Sequence, residues 1–319
     1  MQDRQIRQNI VTTNCWYFLK ITITLSEFFK SIIFLLSSDE EPLELPLRHN
    51  TMNSENPFVH FLHNLHLHRN QPHGRHASIE EHDHHGAYEI FQVSTVNALI
   101  EGLYDGEISY GELRKHGDFG IGTFNALDGE MIALDGKFFQ IKGDGNVNTV
   151  SDDQKTPFAV VQFFKPNLSV EITEEKTFEE LTRQCDALLQ GKNCFYTIRV
   201  NGFFKSMKTR SVHRQHRPYK PLNEITRTQM EFEFTDIEGT IAGFCFPDFT
   251  KGLNVPGYHL HFLSHDRKSG GHILDCTMNS GKLFIDHTSN FHMELPQRKE
   301  FLEADLAKDT RKAVDEAEK

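Results

Sequence analysis

The chain has 319 residues, with 45 acidic against 34 basic side chains and a formal net charge of -11. A nucleic-acid-binding surface is normally basic, so this balance argues against nucleic acid as a partner. The length is sufficient for one large domain or two ordinary ones with a substantial core. The five cysteines are scattered without a CxxC pair, which indicates reduced thiols in a cytoplasmic protein. Histidines and carboxylates are therefore the expected metal ligands.

Residues 1–87 differ in composition from the rest, and we predict that they form a disordered N-terminal extension. The apolar stretch Trp16–Leu36 is interrupted by three charged residues, which are costly in a bilayer, so we do not expect a membrane span. Nine histidines follow between His60 and His85. Such a tract can bind metal loosely, but it lacks the apolar periodicity that would fix the geometry of its ligands.

From Glu89 onward, short apolar strands and glycine turns are frequent and helices are few. This pattern predicts an α+β fold with mixed, largely antiparallel sheets. We place an N-terminal β-sheet domain at residues 88–225 and a C-terminal metal-binding domain at residues 226–319.

Local signals place several elements. Two Asp-Gly turns flank a short strand, Glu130–Leu134. A helix is predicted over Phe178–Leu189, with Thr177 and Glu180 as its capping box. Asn-Gly at Asn201 predicts a turn between two strands. Near Glu89 a strand either continues or turns into a short helix capped by Ser94.

A second histidine stretch, near the end of the chain, has the spacing that a fixed metal site requires. His259 and His261 are two apart in an alternating strand, so both side chains share one face. We predict that Ser269, Gly270 and Gly271 turn the chain back and bring His272 in from the next strand. Three imidazoles with an open position are typical of catalytic zinc. The alternative is a chance pair among 19 histidines.

A catalytic metal site also needs an acid–base carboxylate and a group that holds an anionic substrate. Glu130, directly after a tight turn, is the candidate carboxylate, although an exposed glutamate would be ordinary there. Arg210 is the candidate anion ligand, because guanidinium binds carboxylate as a bidentate fork. The alternative is one more exposed cation in a basic stretch with Arg214 and Arg217.

Several stretches together resemble the α-acetolactate decarboxylase family. The resemblance covers roughly Ile90 to the C-terminus and leaves the first 87 or so residues outside. Its specific signature is a glycine-rich strand combined with His-x-His and Gly-Gly-His. The matching stretches are Gln92–Thr95, Gly117–Glu130, Lys208–Val212, Arg214–Pro221, Gly257–Phe262 and Ser269–His272.

The resemblance implies roles for individual residues. His259, His261 and His272 match the family's zinc-binding histidines. Glu130 matches a glutamate beside the metal, and Thr123 matches a threonine that lines the same pocket. Arg210 matches the arginine that meets the substrate.

The family also uses a glutamate in a C-terminal tail that folds back over the site. Glu316 and Glu318 are the two candidates, and we favour Glu318 because it lies next to the chain end. Family members are two-domain α/β proteins that pair as dimers through their sheets. The resemblance therefore implies an α/β chain of two domains that forms a homodimer.

The implied activity is the zinc-dependent decarboxylation of 2-acetolactate to acetoin and CO2 in acetoin and butanediol biosynthesis. Zinc acts there as Lewis acid and electron sink, and no organic cofactor is needed. From the residues alone, a zinc-dependent hydrolase and a non-enzymatic metal-binding protein stay open as alternatives. Glu130 and Arg210 discriminate between these alternatives, because a metal buffer needs neither and a hydrolase needs no arginine on its substrate.

Overall fold

The structure is a computed structural model that describes residues 89–318, and all of these belong to one compact unit. The predicted N-terminal extension, with its apolar stretch and histidine tract, lies outside the described residues. Across residues 89–318 we find no helix with the length and apolar character needed to span a membrane.

Seven strands form the first sheet. They are β1 (Glu89–Val93), β3 (Phe119–Thr123), β4 (Glu130–Leu134), β5 (Lys137–Ile141), β6 (Val147–Thr149), β8 (Ala159–Gln162) and β15 (Asn290–Glu294). Their spatial order is β15-β1-β8-β3-β4-β5-β6. Only the β1–β15 pair is parallel among these strands, so the sheet is mixed and largely antiparallel, as predicted. β2 (Ile108–Ser109) and β7 (Lys155–Thr156) pair separately.

The second sheet is antiparallel and holds the long strands. Its members are β9 (Leu168–Ile172), β10 (Lys176–Thr177), β11 (Phe195–Ser211), β12 (Met230–Phe246), β13 (Gly257–Ser264) and β14 (Gly270–Thr288). The order is β10-β14-β11-β12-β13, with β9 on β14. Because β13 also pairs with β14, strands β11 to β14 close a circuit. The predicted domain boundary at residues 225 and 226 falls between the paired strands β11 and β12, and the domain division stays a prediction.

Helices are short and few. They are α1 (Val96–Ile100), α2 (Tyr110–Leu113), α3 (Phe178–Leu188), α4 (Leu222–Ile225), α5 (Lys299–Glu303) and α6 (Arg311–Glu318). The predicted capping box of α3 is confirmed, with both hydrogen bonds between Thr177 and Glu180 present. The predicted cap at Ser94 is wrong. Ser94 adopts a left-handed φ of 63°, and Thr95 instead accepts a hydrogen bond from the Ala98 amide at 3.2 Å.

The two sheets pack face to face through a shared apolar core. One cluster joins Phe119 and Ile132 of the first sheet to Ala242 and Leu263 of the second. A larger cluster joins both sheets to helices α1, α4 and α6. Each fully buried aliphatic or phenyl side chain in such a core contributes about 1.5–3 kcal/mol. The core therefore packs β4 of the first sheet against β12 and β13 of the second.

The predicted turn at Asn201-Gly202 is wrong, because β11 continues through it as one strand of 17 residues. Gly202 lies opposite Gly239 on β12 and Gly281 on β14. A Cβ atom on Gly202 would lie 2.5 Å from the Ser280 carbonyl oxygen. The glycines therefore let three strands approach closely in mid-sheet, where sequence alone indicates a reversal.

Candidate active site

The three predicted histidine ligands lie side by side on the face of the second sheet that meets the first. His259 and His261 are on β13, and His272 on β14 lies directly opposite His261. Their ring centroids are 5.1 to 5.4 Å apart. One ring nitrogen from each of the three lies within 4.8 Å of the others. The sequence prediction that His272 enters from the neighbouring strand is confirmed.

The two glycines before His272 have a different role from the predicted one. Residues 265–269 make the turn, and Gly270 and Gly271 are already paired with Leu263 and Phe262 in the strand ladder. A Cβ atom on Gly270 would lie 2.4 Å from the Phe262 carbonyl oxygen. A Cβ atom on Gly271 would lie equally close, 2.4 Å, to the Arg210 carbonyl oxygen. The glycines therefore bring β13, β14 and β11 together at the histidines.

Burial keeps the imidazoles of His259 and His261 neutral, as metal ligands must be. Burial, with a smaller effect of the nearby Arg210 charge, lowers the pKa of His259 to about 3. Burial likewise holds the pKa of His261 well below its usual value. His261 Nδ1 lies 2.8 Å from the Met131 carbonyl oxygen, so Nδ1–H is the donor and Nε2 carries the lone pair. That nitrogen makes no hydrogen bond to any residue in 89–318. The donor set fits a metal such as zinc.

Arg210 and Glu130 meet at the edge of this cluster. Arg210, near the end of β11, lies opposite His272 in the strand ladder, so His261, His272 and Arg210 form one row across three strands. Arg210 Nη1 donates to Glu130 Oε1 at 3.1 Å across the sheet interface. The other oxygen, Oε2, lies 3.6 Å from His261 Nε2. Both residues are buried, so neither is the exposed surface charge that the sequence left open.

Thr123 lies opposite Glu130 in the β3–β4 pair, which places both side chains on one face. Its hydroxyl donates to the Gly129 carbonyl at 2.7 Å. Tyr110 and Thr156 both donate to the Thr123 carbonyl at 2.8 Å. The threonine is therefore rigidly held beside the carboxylate, and its role towards the substrate stays a prediction.

The C-terminal helix α6 contacts Arg210 through its main chain, and a tail that covers the active site stays a prediction. Arg210 Nη2 donates to the Ala317 carbonyl at 2.6 Å. Glu316 is turned outward, with its carboxylate 3.8 Å from Arg227 and 3.6 Å from Lys312. Glu318 is the last residue of α6 and follows Ala317 directly. Its role as the tail glutamate stays a prediction.

Two contacts of the site could not be read from the sequence. Both the Met131 carbonyl on His261 and the Ala317 carbonyl on Arg210 are main-chain groups. Every residue carries such a group, so no residue type marks its position. Only the strand register and the path of the tail bring these oxygens to the site.

The chain is similar in sequence to the proteins of a known family. The profile of the family described as "Alpha-acetolactate decarboxylase" matches residues 90–308. A protein of that name from Methylococcus capsulatus is 51% identical over 234 residues, which are 73% of this chain and 90% of the relative. Another from Methanosarcina mazei is 44% identical over 230 residues, 72% of this chain and 80% of the relative.

Solved structures agree with the sequence comparison. A crystal structure of α-acetolactate decarboxylase from Bacillus subtilis strain 168 has a TM-score of 0.70 at 39% identity. The match covers 72% of this chain and 98% of that one. A Staphylococcus aureus protein described as similar to the enzyme has a TM-score of 0.68 at 29% identity, with 72% and 97% covered.

Proposed function

Because the chain belongs to the α-acetolactate decarboxylase family of carboxy-lyases, we propose that it converts 2-acetolactate to acetoin and CO2 at the histidine cluster. The observation that carries the proposal is the row of His261, His272 and Arg210, with Glu130 facing it from the other sheet. A metal buffer would need only the imidazoles. The buried arginine and carboxylate add groups that an anionic substrate and a proton transfer require.

His259, His261 and His272 would hold a zinc ion in this proposal. When bound, zinc supplies Lewis-acid polarisation of the substrate oxygens and a sink for the electron pair released with CO2. The His261 Nδ1 bond to the Met131 carbonyl fixes the ring orientation before any ligand arrives. The site is thus preorganised by the fold.

Arg210 orients the substrate. Two of its nitrogens are engaged by Glu130 and the Ala317 carbonyl, which hold the guanidinium plane in place. Its Nε is buried and makes no hydrogen bond to any described residue. We assign that N–H to the substrate, because a buried unpaired donor is costly until a ligand accepts from it. The fixed positive charge also favours the anionic substrate in this buried site.

Glu130 is the proposed proton-transfer group. Loss of CO2 breaks the bond to the carboxyl carbon and leaves its electron pair on the substrate, which must then be protonated to give acetoin. Glu130 Oε2 lies 3.6 Å from His261 Nε2, beside the place where the substrate would bind. We assign Glu130 to the transfer of this proton, which its carboxylate takes up from water before it passes the proton to the substrate, and Arg210 keeps the carboxylate in position. In this proposal Thr123 lines the substrate pocket. Glu318 is the glutamate that the C-terminal tail contributes to the active site.

The test is incubation of the purified protein with racemic 2-acetolactate, with CO2 and acetoin measured before and after chelation and after zinc is added back. We expect activity to be lost on chelation and restored by zinc. His261→Ala should lack both zinc and activity, while His292→Ala, an exposed imidazole on β15, should keep both. Undiminished acetoin formation by metal-free His261→Ala would contradict the metal mechanism.

We also propose that the protein is a homodimer located in the cytoplasm. Light scattering of the purified protein tests the homodimer, and cell fractionation tests the location.

A further inference from the structure

Two hydrogen bonds fasten the chain before α6 to the buried side chain of Asn97 on α1. Asn97 Nδ2 donates to the Leu306 carbonyl at 2.9 Å, and the Thr310 hydroxyl donates to Asn97 Oδ1. Both side chains are buried. Thr310 immediately precedes α6, and its carbonyl accepts from the Val314 amide at 2.8 Å. The contact therefore lies at the start of the last helix.

The other end of the same helix is fastened to the active site. The Ala317 carbonyl accepts a hydrogen bond from Arg210 Nη2. Thr310, Val314 and Ala317 are all buried. Their spacings of four and three residues put them on one face of the helix. α6 has only eight residues, and isolated helices of that length are marginal in water. Its position is thus set by its contacts rather than by its own stability.

Asn97 is chemically suited to this task. It is the only polar residue in α1, whose other members are Val, Ala, Leu and Ile. A buried amide is costly unless it is hydrogen-bonded, and Asn97 bonds with both ends of its amide. One planar group supplies a donor to Leu306 and an acceptor to Thr310, which a carboxylate could not do. Its own backbone amide donates to the Gly252 carbonyl at 3.3 Å, so α1 is itself braced.

We propose that Asn97 is a positioning residue for the decarboxylation, acting through the last helix. By holding Leu306 and Thr310, it sets where α6 presents the Ala317 carbonyl to Arg210. That carbonyl and Glu130 together fix the guanidinium plane, and hence the direction of the Nε–H that meets the substrate. The inference rests on the proposed function for its catalytic consequence, but not for the structural coupling between Asn97 and α6.

The decisive variant is Thr310→Val, which removes the hydroxyl at nearly constant shape and substitutes no residue of the active site. We expect amide hydrogen exchange across residues 311–317 to quicken about tenfold, and turnover of 2-acetolactate to fall by a similar factor. Bound metal should be unchanged. Thr310→Ser keeps the hydroxyl and should restore both properties. Asn97→Asp should resemble Thr310→Val, because it loses the donor to Leu306.

Thr240→Val is the matched control. Thr240 is a buried threonine whose hydroxyl donates to an asparagine side chain, Asn201, at 3.1 Å within the second sheet. It should lower stability without speeding exchange in 311–317. The proposal is overturned if amide exchange across residues 311–317 is as slow in Thr310→Val as in the parent, or if it is faster but turnover is unchanged. It is also overturned if Thr310→Ser restores neither exchange nor turnover, or if Thr240→Val shows the same faster exchange and lower turnover as Thr310→Val. If the parent protein makes no acetoin, the proposed function fails, while the exchange comparison still tests the link.

Discussion

Arg210 and Glu130 form a buried ion pair across the two sheets, with Nη1 and Oε1 3.1 Å apart and side-chain exposures of 6% and 10%. The pair joins β11 of the second sheet to β4 of the first, at the edge of the histidine cluster. Burying two charges is expensive, and their attraction repays it only with good geometry and further hydrogen bonds. The pair is therefore weak evidence for stability and stronger evidence for function.

Replacing Glu130 with Gln should lower turnover while the fold and bound metal are retained. The amide keeps an oxygen for Arg210 but cannot transfer a proton, and general acid–base groups contribute about 10²–10⁴-fold to rate. Acetoin formation under saturating substrate measures the effect. Asp128→Asn, in the turn just before β4, is the control, since Asp128 pairs with the surface cations Lys142 and Arg214. Full activity in Glu130→Gln would remove the carboxylate from the mechanism.

Arg210→Met should be strongly destabilising, because it leaves the Glu130 carboxylate buried without its partner. Breaking a buried pair from one side typically costs about 3–5 kcal/mol. Adding Glu130→Gln to Arg210→Met should recover part of this loss, and urea unfolding of the four proteins gives the coupling. For comparison, Arg199→Met removes a more exposed partner from Asp135 and should cost about 1 kcal/mol or less. A double variant no more stable than Arg210→Met would contradict the coupling.

Most side chains of the site could be predicted from the sequence. His-x-His on an alternating strand and His272 on the next strand are local patterns, and local patterns fix which faces residues share. Glu130 and Arg210 are 80 positions apart, and nothing in either segment shows that β4 packs on β11. The family resemblance, rather than the residue pattern, brought them together. The main-chain contacts and the Asn97–Thr310 link depend on the tertiary path, so no local signal marks them.

The predicted fold class is confirmed, but the turn predicted at Asn201-Gly202 is wrong. Asp135-Gly136 is a true hairpin, with both residues at positive φ, and the β4–β5 pair closes directly over it. Asn201-Gly202 has the same kind of sequence but lies inside a strand. The difference is Gly281, which approaches from β14, and a single sequence does not show which distant glycine a strand will meet.

Gly202→Ala tests this close approach. The added methyl group would clash with the Ser280 carbonyl oxygen, and overpacking of this kind costs about 1–3 kcal/mol. Gly191→Ala is the control, since nothing lies within 4 Å of its Cβ position, and it should be neutral or slightly stabilising. Urea unfolding of both variants provides the comparison. Equal stability of Gly202→Ala and the parent would mean that β14 lies farther from β11 than described.

Deleting residues 1–87 should leave acetoin formation and bound metal unchanged. The family match begins at residue 90 and β1 at Glu89, so the deletion ends just before the first strand that the structure describes. Extending the deletion to residue 95 should abolish folding, because β1 lies between β15 and β8 and buries Ile90, Phe91 and Val93. Soluble yield, thermal unfolding and turnover of the two truncated proteins distinguish these outcomes. A collapse of activity in the shorter deletion would instead show that the extension takes part in the enzyme's function.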